Sequence, residues 1–222
     1  MKKAVVLLSG GLDSTTCMAI AKDEGYEIYP ISFEYGQRHN RELECAKKVA
    51  KKFNVRAHKI IRLESLGGSA LTDMNIDVPK YKGDNEIPIT YVPARNILFL
   101  SYALGYAEVL GAEAIFIGVS AVDYSGYPDC RPEFIGAFQK VVDEGTAAGV
   151  KGKSIEIKSP LIHLTKGETI ELGIGLRAPY ELTTSCYNGE EKACGECDSC
   201  VLRLKGFEEA GIKDSIEYKK IL

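Results

Sequence analysis

The apolar run Ala4-Val5-Val6-Leu7-Leu8, followed at once by Ser9-Gly10-Gly11-Leu12-Asp13-Ser14-Thr15, constrains this chain more than any other segment. A short continuous apolar run suits a strand buried on both faces. The two glycines after it permit a sharp turn and leave backbone N–H groups uncovered. Ser14–Glu24 then reads as a helix, with Gly25 placed for a left-handed C′ residue. A strand feeding a helix in this way sets the loop at the carboxyl end of a parallel strand, where open α/β sheets bind ligands. The loop N–H groups, the hydroxyls of Ser9, Ser14 and Thr15 and the helix N-terminus all favour phosphate oxygens. The segment is neither a Walker A loop nor a Gly-x-Gly-x-x-Gly turn.

The remaining pattern extends the same architecture. Glu27–Phe33 reads as a strand, with Pro30 disturbing its regularity. Asn40 is placed to cap a helix whose apolar positions are Leu43, Ala46, Val49, Ala50 and Phe53. Val55–Leu63 alternates as a strand, residues 64–91 form an irregular polar excursion, and Arg95–Leu110 is helical up to Gly111. Ala114–Val119 and Ile155–Lys158 complete five strands. Between them Pro132 opens a helix carrying Phe134, Ile135, Phe138, Val141 and Val142. Thr165 and Glu168 form a capping box for a later helix. This alternation predicts an α/β, Rossmann-like fold: a parallel five-stranded sheet with helices on both faces. It spans residues 1–182, and residues 183–222 form a small C-terminal extension.

That extension carries Cys186, Cys194, Cys197 and Cys200, spaced C-x7-C-x2-C-x2-C. Two-residue spacings let thiolates converge on one ion, and four of them complete a tetrahedral structural zinc site. An iron–sulfur cluster is the rival reading of these spacings. The chain has seven cysteines in all, an odd number that argues against a disulfide framework. Net charge is −3 with no basic block, so direct nucleic-acid binding is not expected. No apolar stretch is long enough for a membrane span, and Met1-Lys2-Lys3 is not followed by a signal-peptide core. A cytoplasmic location is expected.

The Ser9–Ser14 loop matches the pyrophosphate loop (PP-loop) of the N-type ATP pyrophosphatases, which share an adenine nucleotide alpha hydrolase-like fold. Three further stretches narrow the likeness: Phe33-Glu34-Tyr35-Gly36-Gln37-Arg38-His39, Tyr91-Val92-Pro93-Ala94-Arg95-Asn96, and Asp123-Tyr124-Ser125-Gly126-Tyr127-Pro128-Asp129-Cys130-Arg131. With the cysteine cluster they resemble, from Val5 to about Gly206, the 7-cyano-7-deazaguanine synthase family of the queuosine and archaeosine pathways.

The resemblance implies ATP-dependent conversion of 7-carboxy-7-deazaguanine and ammonia to the nitrile, with Mg²⁺ at the phosphates. It implies that Leu8 to Thr15 hold ATP together with Phe33, Tyr35, Gln37 and Arg38. Asp13, Ser14 and Arg95 would serve the chemistry, and Lys166 is an additional cation for the charge built on pyrophosphate. Asn96, Asp123, Tyr124, Ser125, Tyr127, Asp129 and Arg131 would surround the deazaguanine with Arg95. One of the two aspartates would accept its ring N–H donors and a tyrosine would stack on its face. A tRNA-thiolating enzyme and a non-catalytic nucleotide-binding module are the alternatives. A homodimer is compatible with the fold, although no interface is legible.

Overall fold

The computed structural model describes residues 1–65, 67–79, 87–121 and 127–219. Along the chain run β1 (Lys3–Leu7), α1 (Leu12–Asp23), β2 (Glu27–Glu34), α2 (Arg41–Lys52), β3 (Lys59–Arg62) and α3 (Arg95–Leu110). They are followed by β4 (Ala114–Phe116), α4 (Pro132–Gly145), α5 (Ala147–Val150), β5 (Glu156–Lys158), α6 (Lys166–Gly175) and α7 (Asp198–Glu209). The five strands form one parallel sheet in the order β3-β2-β1-β4-β5. Strand order reverses between β1 and β4, which creates a crevice beyond their carboxyl ends.

Alternation along β1 explains the two layers of helices. Val5 and Leu7 pack with Leu100 and Ala103 of α3 and with Ile135 and Phe138 of α4. Ala4, Val6 and Leu8 face the other way, against Cys17 and Met18 of α1 and Ala46 and Val49 of α2. Pro30 sits inside β2 opposite Val6 without breaking the sheet. The Leu8 N–H donates to the Ile31 carbonyl, so Ile31 points to β1 and Pro30 points to the β3 side. β3 begins only opposite Ile31, so the missing proline N–H costs no ladder bond.

Several boundaries differ from the sequence pattern. α1 starts at Leu12 rather than Ser14, because Gly11 takes the extended N-cap conformation. Asn40 does occupy the N-cap of α2, but its side chain makes no capping bond. β3 and β4 are shorter than expected. Beyond β4 the Ile117 N–H still reaches the Lys158 carbonyl, and Gly118 then passes over the loop after β1. A Cβ at 118 would lie 2.9 Å from the Asp13 carbonyl carbon, so the crossing requires glycine.

The extension from residue 183 contains α7, which the cysteine spacing did not announce. It meets the preceding residues through Phe207 and through Arg203, whose Nη2 donates to the Tyr180 carbonyl at 3.4 Å. Phe207 packs with Ile170 and Tyr180. Arg203 is almost fully buried and binds Asp214 through two bonds, Nε–Oδ2 at 2.7 Å and Nη2–Oδ1 at 2.9 Å. It also donates to the Thr183 hydroxyl at 2.8 Å, while Tyr218 donates to Asp214 at 2.6 Å. A buried charge is tolerable only with such pairing. No helix among the described residues is long and apolar enough to cross a membrane.

Candidate nucleotide site and metal centre

The crevice holds a cavity of about 300 Å³ at the carboxyl ends of β1, β2 and β4. Its floor is the Ser9–Ser14 loop, which side-chain oxygens hold in shape. Ser9 and Ser14 hydroxyls lie 3.0 Å apart, the Ser9 N–H donates to Ser14 Oγ at 3.2 Å, and the Gly11 N–H donates to Ser9 Oγ at 3.2 Å. Thr15 Oγ1 donates to the Gly11 carbonyl at 2.8 Å. Gly10 has φ +87°, and a Cβ there would come within 2.2 Å of the Glu42 carbonyl. The loop therefore depends on glycine both for its turn and for its seat on α2.

Lys166, the first residue of α6, reaches across to this loop. Its Nζ contacts both carboxylate oxygens of Asp13, at 2.7 and 2.9 Å. The Thr165–Glu168 capping box forms as expected and fixes the start of α6, with bonds of 3.1 and 2.8 Å. Lysine and aspartate thus stand together at the loop side of the cavity, a distribution suited to a polyanion with a divalent cation.

A second cluster faces them. Arg95 opens α3 and donates to the Tyr35 hydroxyl at 3.3 Å. Burial opposes its charge, but Tyr35, Tyr127 and Glu42 beside it outweigh that cost and raise its pKa, so it stays cationic. Burial also raises the pKa values of Tyr35 and Tyr127, which remain phenols able to donate. Tyr127 bonds Thr90 at 2.9 Å. Phe33 stacks on Phe99 at 4.0 Å between centroids, giving the cavity a flat aromatic wall. Gln37 closes the turn after β2, accepting from the Tyr35 N–H at 2.7 Å and donating to the Phe33 carbonyl at 3.1 Å.

Leu8, Ser9, Gly11, Leu12, Asp13, Ser14, Phe33, Tyr35, Gln37, Arg95, Asn96, Tyr127 and Lys166 all line the cavity. Gly10, Thr15, Arg38, Asp129 and Arg131 do not. Arg38 spends its guanidinium on the carbonyls of Ala70 and Ile76, at 3.0 and 2.9 Å. Buried Asp129 accepts from the Asn96 N–H at 2.9 Å and so caps α3 from a distant segment. The Asn96 side chain returns the contact to the Asp129 carbonyl at 3.0 Å, and exposed Arg131 turns to the Pro128 carbonyl. Asp123, Tyr124 and Ser125 lie outside the described residues.

Glu42, Thr184, Ser185 and Tyr187 also line the cavity, and the sequence pattern did not single them out. Thr184 belongs to the cysteine-bearing extension, and its N–H donates to the Gly10 carbonyl at 3.0 Å. No local motif could announce that contact, because it joins residues 174 apart. Sulfur atoms of Cys186, Cys194, Cys197 and Cys200 lie within 4.8 Å of one another and could hold one metal ion. Backbone N–H groups of Cys194, Glu196 and Cys197 point at Cys186 or Cys194 sulfur at 3.3 to 3.4 Å, which favours thiolates.

A reversing parallel sheet with a Ser/Gly phosphate loop at the reversal defines an α/β protein of the PP-loop class. Two solved structures share this fold at low identity: the NMN synthetase from Francisella tularensis and a 4-thiouridine synthetase in an RNA complex with bound ATP. The first has a TM-score of 0.53 and 16% identity, covering 96% of this chain and 78% of that one. The second has a TM-score of 0.53 and 21% identity, covering 95% and 50%. The chain belongs to the family described as Queuosine biosynthesis protein QueC, which matches residues 3–211. It is 71% identical to the 7-cyano-7-deazaguanine synthase of Desulfitobacterium hafniense, over 98% of this chain and 94% of the relative. Its identity to the enzymes of that name is 68% for Acetivibrio thermocellus and 60% for Coxiella burnetii, each over 98% of both chains.

Proposed function

We propose that the chain converts 7-carboxy-7-deazaguanine, ammonia and ATP into 7-cyano-7-deazaguanine, AMP and pyrophosphate. The observation that carries this reading is one cavity with a phosphate loop at one side and cationic Arg95 at the other. Membership in the family and the relatives' names supply the substrate class.

The chemistry is mainly positioning and charge stabilisation. A substrate carboxylate oxygen attacks the α-phosphorus and pyrophosphate leaves, its charge met by loop N–H groups and by Lys166. Ammonia displaces AMP from the acyl adenylate and leaves the primary amide with loss of a proton. The amide oxygen then takes a second adenylyl group. Departure of AMP and of both amide protons gives the nitrile. One loop holds one ATP in reactive geometry, so the two rounds are sequential.

Asp13 together with phosphate oxygens suits Mg²⁺, a hard cation that takes oxygen ligands and neutralises phosphate charge when bound. The four cysteines suit zinc. A tetrahedron with Zn–S near 2.3 Å has sulfur–sulfur edges of about 3.8 Å, and Cys194 and Cys200 sulfurs are 3.8 Å apart. We assign the extension from residue 183 as a zinc-bearing structural unit and place the protein in the cytoplasm, in keeping with its free cysteines. Cys130 lines the cavity, but burial pushes its thiol up to about 12, which does not suit a persulfide carrier for thiolation.

The test counts pyrophosphate. From the acid, release should require ammonium and reach two per nitrile; from the amide it should need no ammonium and reach one. ADP with phosphate, or failure to use the amide, refutes the scheme.

A further inference from the structure

The amide-forming step needs a nucleophile that the solvent supplies mostly as ammonium, so a proton must be removed beside the acyl carbon. Glu42, in the first turn of α2, lines the cavity and makes no hydrogen bond or ion pair among the described residues. Among the described residues, the other carboxylates near the cavity are committed: Asp13 to Lys166, and Asp129 to the start of α3. Its position is fixed by the backbone, because the Gly10 turn sits directly on the Glu42 carbonyl.

Resting on the function proposed above, we propose that Glu42 is the catalytic base that captures ammonium and takes its proton. The carboxylate binds the cation, one N–H proton passes to a Glu42 oxygen, and the freed lone pair attacks the acyl adenylate carbon. The carbon–oxygen bond to AMP breaks, and the second N–H proton, acidified once nitrogen is bound to carbon, leaves to the departing phosphate or to water. Glu42 releases its proton to water before the next turnover.

The surroundings match this role. Arg95 beside Glu42 is suited to hold the substrate carboxylate, so base and electrophile share one end of the cavity. Arg95 is also a fixed cation that disfavours ammonium relative to neutral ammonia once the proton has moved. Burial raises the carboxyl pKa, against the opposing pull of Arg95 and His39, and brings the base nearer to working pH. The groups facing it are His39 before α2, Tyr35 after β2 and Arg95 of α3. The two tyrosine hydroxyls, of Tyr35 and Tyr127, stay protonated throughout that range.

The experiment compares wild type with Glu42→Gln on the acid and on the amide, varying ammonium and pH. In the variant kcat/KM for ammonium should fall by about 10²-fold, a usual loss for a general base. That loss should shrink as pH rises and free ammonia accumulates, and hydroxylamine, neutral near pH 7, should be used nearly as well as by wild type. The amide-to-nitrile half should keep most of its rate, which also shows that the variant is folded. Equal losses on acid and amide would overturn the inference and point to a contact with ATP or the ring edge. So would an unchanged ammonium dependence. A wild-type enzyme inactive on the acid would instead refute the function it rests on.

Discussion

A methyl group added at Gly10 would meet the Glu42 carbonyl at 2.2 Å while the backbone holds φ +87°. Gly10→Ala should therefore lower stability by about 1–3 kcal/mol, read as a lower urea midpoint, and displace the phosphate loop. Lys166 and Asp13 act at the same scale through charge. Replacing Lys166 by Met removes a positioned cation from the leaving pyrophosphate, so kcat for pyrophosphate release should drop by about 10²-fold. Thermal stability should change little, since the pair is partly solvated. Turnover near that of wild type would show that Lys166 only neutralises Asp13.

Among the elements, α6 and α3 each present a cation to the cavity from their first turn, and each start is fixed differently. α6 uses its own capping box, so Thr165→Ala should cost about 1 kcal/mol by denaturant titration, and Thr165→Ser should restore it. Because Lys166 is the first helical residue, the same variant should lower kcat as well. α3 has no side-chain cap at Ala94 and borrows Asp129 instead. Asp129→Ala should leave the buried Asn96 N–H unpaired and cost about 1–3 kcal/mol. Asp129→Asn, which keeps an acceptor oxygen, should cost less. The capping box was legible because its residues are three apart. The α3 cap was not, because its two halves lie 33 residues apart.

At the scale of the whole molecule, the cysteine extension and the phosphate loop are one unit. Thr184 bonds Gly10, and the cavity-lining Thr184, Ser185 and Tyr187 flank Cys186 of the four-cysteine cluster. Cys197→Ser should reduce metal content well below one zinc per chain by elemental analysis and lower Tm. It should also raise KM for ATP, because the cavity wall loosens. Iron with matching sulfide in the purified protein would overturn the zinc assignment. A full metal loss that left KM for ATP untouched would show that the extension and the loop are independent.

The sequence by itself determined what local periodicity and spacing can encode. The buried β1, the glycine turn, α3 with its Gly111 stop, the α6 capping box and the convergence of four cysteines all depend on residues near one another in the chain. The position of Pro30, a source of doubt in the pattern, became intelligible only with the strand register, since β3 begins one residue later. Only the tertiary structure decided which polar residues face the cavity. Arg38, Asp129 and Arg131 look like ligand groups in sequence, but segments distant in the chain supply carbonyls and N–H groups that claim Arg38 and Asp129. Glu42 looks like an ordinary acidic residue in a helix's first turn, yet the fold sets it on the cavity wall near Arg95, with no hydrogen bond among the described residues. The physical reason is that a polar side chain's role depends on which partners reach it first, and those partners are assembled by the packing of the sheet.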